Sequence, residues 1–214
     1  MSKLSQAAYE YVKKKIMASE YPSGMRLTED MICNELGTSR TPVREAFQNL
    51  ASEQIITIYP HRYAEVTVFD KDRIRRIGAI RLALDMLSAY SCTYNGSVAE
   101  FNKLDELEQQ YEDACRSGNA RERIRMECAF HLKIAEITKN PDLLRTQRSL
   151  YDLIAMILPQ CPLSEEDSRI QMQQHRDLIK AIRTQDTSTI RRLLCSHLQK
   201  THGFSDNFIQ YWIQ

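Results

Sequence analysis

One stretch of this chain repeats with the period of a β-strand, and nearly all the rest repeats with the period of a helix. Ile56 and Ile58, then Val66 and Val68, alternate on either side of Pro60-His61-Arg62-Tyr63, the pattern of a two-stranded hairpin. Ahead of it, Ala8, Tyr11, Val12 and Ile16 recur at helical spacing until Tyr21-Pro22-Ser23-Gly24 breaks the helix. A second, short helix is expected after Thr28 as N-cap, with Glu29 and Asp30 in its first turn, Ile32 and Leu36 inward and Gly37 as its turn. Pro42 suits a first helical turn and disfavours helical geometry at Thr41, which starts a third helix at about Pro42 and carries it to Ser52. Three helices and a hairpin over residues 1–69 make a winged helix-turn-helix.

From residue 70 to 214 the pattern is helix after helix. Apolar stripes run through Ile74/Ile77/Leu84, Phe101/Leu104/Tyr111, Ile124/Ile134, Leu144/Tyr151/Leu158, Leu178/Ile182 and Ile190/Leu194, six segments that predict an antiparallel all-α bundle. The breaks between them, at Asn95-Gly96, Ser117-Gly118-Asn119, Asn140-Pro141, Pro159 to Pro162 and Gln185-Asp186, are short, as between neighbouring helices. The expected fold is therefore mainly α: a winged N-terminal domain with a small β-hairpin, then a helical bundle. With 214 residues and only six Gly and six Pro, both domains should fold without a long linker between them.

Composition excludes several classes. No apolar run approaches the roughly 18 residues that span a bilayer, and Met1 to Glu10 lacks a signal peptide's apolar segment, so a cytoplasmic location without membrane attachment is expected. The six cysteines contain no CxxC pair, which removes zinc ribbons and thioredoxin-like motifs and leaves free thiols as the expectation. A net charge of +1 gives nucleic-acid binding no support from composition, so that case rests on local pattern.

The local pattern is in the third helix. Val43, Ala46, Phe47 and Leu50 share one face, which turns Arg40, Thr41, Arg44 and Gln48 outward near the N-terminus, where a recognition helix meets base edges. Arginine's planar fork donates two hydrogen bonds to guanine, and Thr and Gln reach bases or phosphates. His61, Arg62 and Tyr63 at the hairpin tip are placed for the minor groove or the backbone. Two exposed arginines alone are more often solvated surface; their setting is the specific signal. The run Leu36-Gly37-Thr38-Ser39-Arg40-Thr41-Pro42-Val43-Arg44-Glu45-Ala46 resembles the recognition motif of GntR-type regulators, as do Gly24-Met25-Arg26-Leu27 and Leu50-Ala51-Ser52-Glu53. That resemblance implies base contacts from Arg40 and Arg44, assisted by Arg26, Thr41 and the wing tip. Gln54 and Tyr63 stand where the family usually has glycine.

His131, His175 and His197 each fall on the apolar stripe of a different helix, and Glu127 precedes His131 by four residues on the same face. One such histidine is ordinarily a hydrogen-bonded core residue. Three with an acid are best satisfied by a divalent transition metal, Zn²⁺, Ni²⁺, Mn²⁺ or Fe²⁺ by donor type. Glu127-Cys128-Ala129-Phe130-His131, Gln174-His175-Arg176 and His197-Leu198 resemble the metal-binding positions of the FCD type of GntR effector domain, over about Ile74 to Gly203, with Glu in place of the commoner Asp. His202, off the stripe, is expected to be exposed. Arg81 has two open readings: a modest surface-type ion pair with Asp85, or a bidentate anchor for an effector carboxylate.

A metal with three histidines also suits a hydrolase or oxygenase, but no general base or nucleophile motif accompanies it, and the paired Glu-x-x-His motifs of a di-iron bundle are missing. A metal-free effector-binding regulator is a further alternative, and a bundle serving only dimerisation leaves the inward histidines unexplained. The reading that results is a regulator, not an enzyme. It binds double-stranded operator DNA as a homodimer, and a small organic or sugar acid held near the metal modulates its affinity.

Overall fold

The computed structural model describes residues 2–60 and 62–213, and the chain divides into two compact units, Met1–Phe69 and Asp70–Gln214. In the first unit α1 (Lys3–Met17) starts at Ser2, whose hydroxyl accepts from the Ser5 amide at 3.1 Å, and buries Ala8, Val12 and Ile16. Tyr11 is not part of that buried row; its hydroxyl donates to Glu35. After the turn, β1 (Arg26–Leu27) leads into α2 (Glu29–Leu36), capped by the Thr28 hydroxyl and ended by Gly37 at φ 62°, the left-handed conformation that glycine adopts without strain. Next, α3 (Arg40–Ser52) begins at Arg40, two residues before Pro42, where the sequence places its start. Pro42 fits there because the first turn of a helix has no intrahelical use for its N–H groups.

The sheet has three strands rather than the two read from alternation. β2 (Ile56–Tyr59) and β3 (Tyr63–Val66) form the hairpin, and β1 pairs on the other side of β3 through Arg26↔Glu65 and Leu27↔Ala64. A two-residue strand is too short to show a period, so its pairing exists only in the tertiary structure. Ile56 and Val66 are buried, whereas Ile58, on the edge strand toward the wing tip, and Val68 stay exposed. Gln54 has φ 62°, which gives the family's usual glycine at that position a reason: the backbone entering the wing is left-handed there.

The second unit contains α4 (Lys71–Asn95), α5 (Val98–Arg116), α6 (Ala120–Ile137), α7 (Pro141–Ile157), a 3-10 turn at Leu158–Gln160, α8 (Glu165–Arg183), α9 (Thr187–His202) and α10 (Asp206–Ile213). The helices from α4 to α9 start at Asp70, Ser97, Asn119, Asn140, Ser164 and Asp186, each accepting from a first-turn amide, with Ser97/Glu100 and Ser164/Asp167 closing capping boxes. Leu82, Phe130, Ile134, Leu178, Ile182 and Leu194 lie in its core. The short α10 was not among the six predicted segments; it is held by Phe204, Phe208, Ile209 and Trp212 against that core.

Gly78 allows α4 to approach α9: a Cβ there would lie 2.3 Å from His202 Cγ. Gly78→Ala is therefore expected to destabilise the unit by about 1–3 kcal/mol despite alanine's better helix propensity. Urea unfolding checks this, and an unshifted midpoint would mean that the His202 ring can move aside.

Candidate metal centre and nucleic-acid interface

The metal-type residues come from three helices. Glu127 and His131 sit one turn apart on α6, His175 is on α8 and His197 on α9, and all four are buried. One donor atom from each lies within 4.8 Å of the others. His197 Nε2 is 3.1 Å from Glu127 Oε1 and 3.3 Å from His131 Nε2, and His175 Nε2 is 3.2 Å from Glu127 Oε2.

The outer nitrogens explain why these lone pairs converge. His175 Nδ1 donates to Glu108 at 2.8 Å and His197 Nδ1 to the Gln174 carbonyl at 3.1 Å, while His131 Nδ1 lies 3.4 Å from Asp85 Oδ2. An acceptor outside each ring keeps the proton on Nδ1 and leaves Nε2 facing inward as a donor atom. Glu127 Oε2 and His175 Nε2 are buried without a hydrogen-bond partner, and two imidazole Nε2 atoms face each other across the centre. Bare lone pairs pressed together in this way repel; a cation or a proton between them removes the cost. The residues thus fit a divalent ion through both donor chemistry and orphaned atoms.

Without an ion the cluster takes up a proton. Burial alone would lower the His175 pKa, but the carboxylates of Glu108, hydrogen-bonded at Nδ1, and of Glu127, 3.2 Å from Nε2, outweigh it and raise the value to about 9. At His197 burial prevails over Glu127, and the value falls to about 3. Glu127, which burial alone would make a weaker acid, is held well below the usual carboxylate range by the facing imidazoles.

Arg81 is not at the surface. Only 1% exposed, it donates to Glu127 Oε1 at 2.7 Å and through Nε to Asp85 and the Tyr151 hydroxyl, both at 3.2 Å. Asp85 also accepts from Tyr151 and from Gln147, forming a buried network. The surface-type pair with Asp85 is replaced by a double buried one, because α6 presents Glu127 to the same guanidinium. The expectation that His202 is exposed also fails: it is buried against Gly78, Nδ1 faces the Ile74 carbonyl at 3.2 Å and Nε2 is unpartnered. Burial, then the nearby charge of Arg81, lowers its pKa to about 3, so the ring is neutral. Sequence reading missed Glu108, although it continues the apolar stripe of Phe101, Leu104 and Tyr111, where an acid is a signal in itself.

In the first unit Arg40, Arg44, Gln48 and Arg62 line one open groove together with Thr28 and Tyr63. Arg40 is held bidentately by Asp30 at 2.7 and 3.0 Å, and Arg44 by Glu29 at 2.9 and 2.9 Å. Thr41 is exposed on α3 but does not line the groove, and Arg26 stacks over the Tyr63 ring at 4.5 Å. Tyr63 thus gives the wing a cation-π contact that a glycine would not make. His61 lies outside the described residues.

These features define a winged helix-turn-helix protein with a separate helical bundle whose core fits a metal ion. The model of the FCD domain matches residues 76–200 and that of the gntR family of bacterial regulatory proteins matches residues 4–66, so the chain belongs to the GntR family with an FCD domain. The probable D-xylose utilization operon transcriptional repressor of Paenarthrobacter nicotinovorans is 25% identical over 198 residues, covering 88% of this chain and 83% of that protein. The transcriptional repressor RspR of Escherichia coli is 22% identical over 92% of this chain and 86% of its own length. The solved structure of E. coli McbR/YncC shares the fold at a TM-score of 0.81, with 21% identity over 99% of this chain and 100% of that one. The chain is a transcriptional regulator and not an enzyme. Among the described residues no helix is long and apolar enough to cross a membrane.

Proposed function

We propose that the protein is a homodimeric, metal-containing regulator whose affinity for operator DNA changes when a small organic or sugar acid binds in the helical unit. The observation that carries the proposal is the convergence of Glu127 and three imidazole Nε2 atoms, one donor atom from each within 4.8 Å of the others in a buried centre. In this reading residues 1–69 bind DNA, with Arg40 and Arg44 on bases and Arg26, Thr41, Gln48, His61 and Arg62 assisting. Residues 70–214 hold Glu127, His131, His175 and His197 around a Zn²⁺, Ni²⁺, Mn²⁺ or Fe²⁺ ion and supply the dimer contacts. When bound, the ion offers a Lewis-acidic position to an anionic effector. Arg81, whose guanidinium is buried against Glu127 and Asp85, is the residue assigned to anchor the effector carboxylate.

Elemental analysis of untagged protein as purified, beside His175→Ala/His197→Ala, tests the metal site. About one transition metal per chain, lost in the double variant, is expected by the four-donor rule; a metal-free wild type that also ignores added Zn²⁺, Ni²⁺ and Mn²⁺ sinks the metal reading. Because His175 titrates at about 9, metal entering the chelated protein at pH 7 must displace its Nε2 proton, so apparent affinity rises with pH toward 9. Calorimetry in buffers of different ionisation enthalpy measures that release, and zero proton release contradicts it.

A further inference from the structure

From Ile77 to Ala99 the only charged residues are Arg81 and Asp85, and both are buried. About five turns of α4 therefore turn an uncharged face to the outside, in a chain with 27% charged residues. That face is apolar as well as uncharged. Ile80, Leu87 and Tyr94 are 54%, 49% and 73% exposed, and they follow one another at intervals of seven, which keeps them on one line of the helix. The opposite side of α4 buries Ile77, Leu82, Met86, Ala89 and Cys92, so the helix has two apolar faces and only one partner among the described residues.

We infer that this stripe is where a second copy of the chain docks, with the two α4 helices crossing antiparallel at Leu87. The inference rests on the homodimer proposed above and adds its interface. A twofold contact must be self-complementary: what residue i meets on the partner must meet i in return. Ile80 and Tyr94 stand equally far from Leu87 on either side, so an antiparallel crossing sets Leu87 on Leu87 and Ile80 on Tyr94 in both directions. Charge agrees with that orientation. Arg76, exposed and one turn before Ile80, would lie beside the partner's α4 C-terminus, whose last carbonyls are partly negative and whose last turn contains no basic residue. A parallel pairing would instead bring the two Arg76 side chains together.

Sedimentation of the full chain with and without Leu87→Glu tests the interface, with circular dichroism confirming an unchanged helix content. The wild type is expected as a dimer, and the variant's dimer dissociation constant should rise at least about 100-fold, since a carboxylate at the centre of an apolar contact faces its own copy. If Leu87→Glu fails to fold, Leu87→Cys decides: mild oxidation should link two chains through the axis, beyond any linkage of the wild type. Dimers that survive Leu87→Glu, or a Leu87→Cys chain that links no more than wild type, overturn the α4 interface and leave the dimer itself standing. A wild type that sediments as a monomer both alone and on operator DNA overturns the dimer and this interface with it.

Discussion

Arg81→Met is expected to destabilise the helical unit by about 3–5 kcal/mol, the range for breaking a buried ion pair by removing one partner. Methionine nearly fills the arginine's volume, so the loss does not come from a cavity. It comes from Asp85 and Glu127, both buried, whose shared cation disappears: Asp85 is left with the neutral Tyr151 and Gln147, and Glu127 with the imidazoles of the cluster as its only remaining counter-charge. The experiment is urea unfolding in chelator, so that metal does not mask the change. Arg81→Met/Glu127→Gln should recover part of the loss, because the double substitution removes one of the abandoned charges together with its counter-ion. Adding a metal to Arg81→Met should recover stability too, since an ion binding only the folded state stabilises by about 2.7 kcal/mol at a hundred times its dissociation constant. A cost below about 1 kcal/mol would place the pair in the range of solvent-exposed bridges and contradict the burial on which the argument depends.

Arg40→Ala and Arg44→Ala should each lower specific operator affinity by about 1–3 kcal/mol, roughly 10- to 100-fold, and relax the base preference at the positions they read. Neither change should unfold the unit. Arg40 and Arg44 are 66% and 61% exposed, and their pairs with Asp30 and Glu29 are surface bridges worth little to stability. What those carboxylates do is hold two flexible forks in fixed directions on the groove face, which reduces the side-chain entropy lost on binding. Arg62→Ala, at the wing, should instead weaken binding by a similar factor on every sequence and reduce the salt slope by about one ion. Quantitative gel shifts on specific and scrambled duplexes at several salt concentrations separate the two patterns. Unchanged specific affinity in both Arg40→Ala and Arg44→Ala would remove the recognition helix from the operator.

Several features were legible because they depend on neighbours a few residues apart. Thr28 and Gly37 bound α2 because a hydroxyl reaches an amide three residues on and glycine tolerates a positive φ. Glu127 and His131 share a face through helical period alone, and His175 and His197 each sit on a stripe whose inward direction their apolar neighbours define. Spacing was less informative where an element is short or a residue is polar. Pro42 marked the neighbourhood of the α3 start but not its first residue, and His202, lacking an apolar stripe of its own, read as exposed when Gly78 opens a slot for its ring.

The sequence by itself determined the order of α1 to α9 and the wing hairpin, the outward face of α3 and the four side chains that point into the bundle, since each follows from periodicity along one element. Only the tertiary structure decided which residues from distant elements meet. Glu108 on α5, Gln174 on α8 and Asp85 on α4 turn the three imidazoles by binding or facing their outer nitrogens, Arg81 is shared between α4 and α6, and β1 exists only because β3 is there to pair with it. The physical reason is that hydrogen bonds and ion pairs are satisfied through space at about 3 Å, a distance that chain position does not encode until the helices have packed.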